Sequence, residues 1–210
     1  MLFRSPALRK EARALALRWL DDPAAVDAAS IELVLGIAAI DGDRAFFNRL
    51  RSEIGNAKDD QRRSHLLAAL GSFRDPALAR ASLDFFLDGE LDPREAMGLL
   101  DQDELSTEVV FTFLQERFDR VLARMPSDAA VSLPGTVSRF CDEGRRAAVE
   151  AFFKPRIEKI SGGPRALSQA LEEISLCSTL RSSQEAKNQK LPKKAPSAGP
   201  KASMRSARGS

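Results

Sequence analysis

Residues 75–87 read D-P-A-L-A-R-A-S-L-D-F-F-L. Asp75 offers a carboxylate to the orphan N–H groups of a first helical turn. Pro76, at the first helical position, has no N–H to leave unsatisfied. Leu78, Ala81 and Phe85 then step by 3 and 4, which lays one apolar stripe along a helix. The same punctuation recurs at Ser5-Pro6, Asp22-Pro23 and Asp92-Pro93. Asp43, and Asp59 or Asp60, read as further caps, and Gly42, Gly71 and Gly89 stand where helices should stop.

Outward from this stretch the helical spacing continues. Leu8, Ala12, Leu15 and Trp19 form one stripe, and Phe46 or Phe47 with Leu50 and Ile54 another. Leu66, Leu67, Leu70 and Phe73 form a third. Val110, Phe113, Leu114, Phe118, Val121 and Met125 mark a longer helix. Leu167, Leu171, Ile174 and Ser178 mark the last, with Cys177 beside the stripe. Val109-Val110-Phe111-Thr112-Phe113 has β-type residues, but inside a helical pattern, and strand alternation is otherwise absent. Breaks fall at Pro126, Leu133-Pro134-Gly135 and Ser161-Gly162-Gly163-Pro164.

Short linkers make sequential helices antiparallel neighbours. Many such helices, each with one modest stripe, cannot share one bundle core, so the sequence predicts an all-α antiparallel superhelix of the HEAT/armadillo kind. D-P-A-A-V at Asp22 and D-P-A-L-A at Asp75 give only a weak internal repeat.

The chain has 210 residues, 43% hydrophobic and 30% charged. A chain of this size buries about 70% of the surface it exposes when unfolded, enough for a real core. Formal charge is +2, with seven bases and no acid in residues 186–210, which leaves residues 1–185 at −5. The sequence therefore divides into a helical body, 1–185, and a basic Pro/Ser/Ala tail, 186–210, expected to be disordered. The near-balance of charge argues against a nucleic-acid partner, although the tail alone could meet an anionic surface. No apolar run is long enough to cross a membrane. The first twenty residues carry five bases and one acid, as a transit peptide would, but also a capped helix with Trp19 in its stripe, so they read as body. With no secretion signal, the expected location is cytoplasmic.

Chemistry-bearing residues are sparse. His65, the sole histidine, lies mid-helix beside Leu66 and Leu67 with no second His at helical spacing, so it reads as a packed or half-exposed helix residue. Cys141 and Cys177 lack a base partner and read as small buried hydrophobes, with no disulfide between them expected. Asp101, Asp103 and Glu104 read as a helix start, and Asp41-Gly42-Asp43 as a turn plus cap. No phosphate-binding glycine loop is present.

The string F-C-D-E-G-R-R-A-A-V-E-A-F-F from Phe140, followed by G-G-P-R-A-L-S-Q-A-L-E-E-I-S-L-C ending at Cys177, resembles the end of the large zinc aminopeptidases. These are the gluzincins of the aminopeptidase N and puromycin-sensitive type. Upstream, W-L-D-D-P, L-G-S-F-R-D-P-A-L and L-L-D-Q-D are similar to the same C-terminal helical domain, in the same order, so the resemblance covers about residues 6–183. It implies an α-solenoid that walls in a peptide chamber over a catalytic domain. The H-E-x-x-H zinc site and the G-x-M-E-N amine site of such enzymes belong to that catalytic domain and do not occur in this chain.

The resemblance thus implies a lid without the enzyme: no catalytic residue, no metal and no cofactor in this chain, with zinc belonging to an absent catalytic domain. Implied partners are such a catalytic domain or a peptide. Arg139 and Arg165 are candidates to meet a peptide carboxylate in two-pronged fashion; alternatively they pair with acids such as Glu172 or stay solvated. A stand-alone HEAT-like interaction scaffold is the competing reading. A stretch typical of the family is missing between Asp103 and Phe113-Leu114, which predicts an exposed apolar groove and fast amide exchange near Val109–Phe118.

Overall fold

The computed structural model describes residues 5–88, 91–100, 102 and 104–190. Every regular element among them is helical. The α-helices are α1 (Pro6–Asp21), α2 (Ile31–Ile40), α3 (Arg44–Asn56), α4 (Asp60–Leu70), α5 (Pro76–Leu87), α6 (Pro93–Ala96), α7 (Thr107–Arg124), α8 (Glu143–Ile157) and α9 (Gly163–Lys190). Short 3-10 segments connect them, the longest being Ala130–Val137.

The caps sit where the sequence puts them. Ser5, Asp43, Asp59, Asp75 and Asp92 each accept a hydrogen bond from a backbone N–H in the first turn that follows. Asp142 does the same for α8. Asp22-Pro23 differs: it opens only the 3-10 turn Pro23–Ala25, because Asp27 caps a second 3-10 turn before α2 begins at Ile31. The α8–α9 corner turns on Gly162, at φ +79°, where an L side chain is strained. Gly89, Asp101 and Asp103 lie outside the described residues.

Packing follows the order of the chain. α1 packs on α2, α2 and α3 on α4, α5 on α7, α7 on the 130–137 segment, and that segment on α8 and α9. The buried side chains form one continuous cluster from Ala16 to Ile174. Six phenylalanines of the second half anchor it. Phe111 meets Phe140 and Phe152 edge-on, both at 5.7 Å between centroids, and Phe118 meets Phe152 at 5.6 Å. Phe113 and Phe153 are fully buried beside them.

Three expectations are corrected. No apolar groove opens along α7, since Val110, Phe111, Phe113, Leu114 and Phe118 are all buried by α5, α8 and the 130–137 segment. α7 instead lies directly on α5. Cys141 and Cys177 are not separate inert thiols: they form a disulfide, with Cα atoms 5.0 Å apart. The packing of α9 against α8 and the 130–137 segment brings residue 177 to the chain just ahead of α8, within the separation a disulfide bridges. Finally, residues 186–190, assigned to the tail, continue α9 to Lys190; residues 191–210 lie outside the described residues.

Candidate functional site

A concavity of about 1200 Å³ runs between α2, α4, the α6 region, Arg139 and Cys177. Its walls are built by small residues on facing helices. Gly36 of α2 and Ala68 of α4 keep the helix surfaces low, and a Cβ at Gly98 would meet nothing within 4 Å. Leu33 of α2 adds an exposed apolar side chain to the rim.

Charges along the cleft are organised by arginine. Arg63 of α4 reaches Glu95 of α6 with two prongs, Nε to Oε2 at 2.9 Å and Nη2 to Oε1 at 3.0 Å. It also donates to Asp60. These carboxylates, Glu95 first, hold the Arg63 guanidinium above its ordinary pKa. Asp60 and Glu95, both lining the cleft, are thereby tied to the scaffold.

At the other end sits Gln102, buried to 1% exposure. Its Nε2 donates to Ala79 O and Leu99 O, both at 3.2 Å, which fixes the orientation of the amide. Oε1 is then left buried without a donor. Arg139, from the segment after the 130–137 turn, donates Nη1 to the backbone oxygen of Gln102 at 2.5 Å. So Arg139 closes the rim above a buried polar position.

The two arginines singled out from the sequence are separated by the structure. Arg139 lines the cleft; Arg165 is exposed on the first turn of α9 and is not among the lining residues. His65 is half-buried on α4. Among the described residues no group of three or more His, Cys, Asp or Glu side chains is placed to hold a metal ion. No described helix is long and apolar enough to cross a membrane.

Gln102 and the disulfide escaped the sequence reading. Gln102 carried no signal beyond its place in L-L-D-Q-D, because the carbonyls it serves come from α5 and the 97–100 turn. Cys177 carried one: it sits beside the buried stripe of α9 rather than on its outer face.

The ERAP1-like C-terminal domain family matches residues 1–176. The chain belongs to this family. It is also 33% identical over 138 residues to Aminopeptidase M1-B of Oryza sativa subsp. japonica, a stretch that makes up 62% of this chain and 15% of that protein. The chain thus spans a small part of the length of that relative. Within the ERAP1-like domain the cleft lies inside the matched residues except for Cys177, and Arg139 with Gln102 are both covered by the match.

Proposed function

We propose that this chain is a non-catalytic lid: the helical wall of a peptide chamber that works in N-terminal peptide trimming only beside an aminopeptidase catalytic domain. The zinc of such an enzyme belongs to that other domain. The observation that carries the reading is the family match over residues 1–176 together with a cleft of about 1200 Å³ at its centre. The order of packing, each helix on its near neighbours, supports the curved stack expected from the stripes. Arg139 at the cleft rim is the candidate to meet a peptide carboxylate, since a guanidinium fork matches a carboxylate with two parallel bonds. No observation favours the stand-alone scaffold.

For location, the cytoplasm remains the proposal. Disulfides that form in that compartment are typically transient, catalytic or redox-sensing, which bears on the Cys141–Cys177 bond.

The test is complementation. An aminopeptidase catalytic domain deprived of its own helical part is mixed with the full chain. Hydrolysis of long peptides and of an aminoacyl-coumarin is then followed. The lid reading expects binding and a change in length preference, weakened by Arg139→Ala. Absence of binding would overturn it. Turnover by the chain alone with zinc, above a metal-free blank, would overturn its non-catalytic part.

A further inference from the structure

The disulfide occupies a particular place. Cys141 lies in residues 138–142, which join the 130–137 turn to α8 and carry no regular structure of their own. Cys177 lies in the middle of α9. Cys177 lines the large cleft, and both cysteines line a second hollow of about 530 Å³ beside Leu176, Leu180 and Arg181 of α9. Both are half-buried, so the bond is open to a small reductant.

The 138–142 segment is anchored at its two ends, where the Ser138 N–H donates to Gly135 O and Asp142 caps α8, and the disulfide holds it between them. Phe140 rests edge-on against Phe111. Arg181 of α9 donates Nη1 to Cys141 O at 3.5 Å, a weak contact. Arg139, two residues before Cys141, holds the oxygen of Gln102 across the cleft rim. The covalent bond therefore fixes the position from which Arg139 reaches the cleft.

We propose that the Cys141–Cys177 disulfide is a reducible latch that sets the Arg139 rim of the cleft. The reaction is thiol–disulfide exchange with a dithiol. A thiolate of the dithiol attacks one Sγ, the Cys141–Cys177 bond breaks, and a mixed disulfide forms. The second thiol of the reductant resolves it. The dithiol is oxidised by two electrons to its disulfide, and Cys141 and Cys177 gain those electrons and two protons. α9 stays packed on α8 and the 130–137 segment, with Leu167, Leu171 and Ile174 buried in the common core independently of the sulfurs. Only residues 138–142 and their grip on Gln102 loosen. The latch stands on this geometry alone and requires neither a peptide nor a catalytic domain.

The test uses the full chain, oxidised and then treated with dithiothreitol without denaturant. Alkylation with iodoacetamide counts the thiols, and hydrogen–deuterium exchange is compared peptide by peptide. The latch expects both cysteines to be alkylated in the folded protein. It expects exchange to rise about tenfold or more over residues 138–142 and the chain after Gln102, with α1–α4 unchanged. A Cys141→Ser/Cys177→Ser variant should reproduce the reduced pattern and stop responding to dithiothreitol. Three results would overturn the proposal: a bond that resists reduction until the chain unfolds, exchange that rises uniformly over the chain, or exchange that does not change at all.

Discussion

Asp43 and Arg13 are joined across 30 residues: Oδ1 of Asp43 accepts from Arg13 Nη2 at 3.0 Å. The same oxygen accepts from the Phe46 N–H at 2.8 Å, and the Arg13 guanidinium lies 3.7 Å from the centre of the Phe46 ring. One carboxylate therefore starts α3 and docks α1 onto it.

Phe46 N–H and then Arg13 hold the Asp43 carboxyl below its ordinary range. Arg94 acts likewise on Asp128, and Arg80 on Glu116. A lowered folded pKa means stability that is complete above the unfolded value of about 3.9 for Asp. It is lost as pH falls through the folded value. Asp43→Asn keeps a good cap but removes the charge, so its melting temperature should fall less steeply below about pH 4 than that of the natural chain. Parallel acid melting curves for the two proteins would refute the assignment.

Ser82 is fully buried, and its hydroxyl donates to Leu70 O at 2.6 Å. Leu70 ends α4, so its carbonyl has no partner further along that helix. Ser82→Ala strands this oxygen and should cost about 1 kcal/mol, seen as a melting shift of roughly 2–4 °C. Urea denaturation with an unchanged slope and a lowered midpoint is the expected record.

Gly163 begins α9 where a Cβ would run into the carbonyl of Ile157. Gly163→Ala must push the α8–α9 corner apart, at roughly 1–3 kcal/mol. Gly55, near the end of α3, meets nothing within 4 Å. Gly55→Ala should therefore stabilise by up to about 1 kcal/mol. Equal effects of the two substitutions in denaturant would contradict this reading of the corner.

Phe111 touches two other rings and is 1% exposed. Amides of α7 should then exchange as slowly as those of α4, the reverse of the exposed groove expected from the sequence. Phe111→Ala should cost about 3–5 kcal/mol. Fast exchange confined to residues 109–118 in the natural chain would restore the exposed groove.

Helix starts were legible because each depends on two or three adjacent residues, as at Asp75-Pro76. The stripe of α7 was legible too, since Val110 through Val121 repeat at helical spacing. What covers that stripe was not. Phe140 and Phe152 arrive from 29 and more residues downstream, and nothing local to α7 announces them. The cleft was hidden for the same reason: Gln102 acquires its role from carbonyls of α5 and the 97–100 turn and from Arg139. The disulfide depends on how α9 folds back over residue 141, which no spacing within either segment specifies.

The aspartates that open these helices have a wider consequence. Five of the starts are dictated by the residue just ahead of them, as Asp43, Asp59, Asp75, Asp92 and Asp142 show. Registers are thus written afresh at these joints rather than inherited along the chain. Such an architecture is modular in the builder's sense: a hairpin can be removed or spliced in at a joint, and the next helix still knows where to begin.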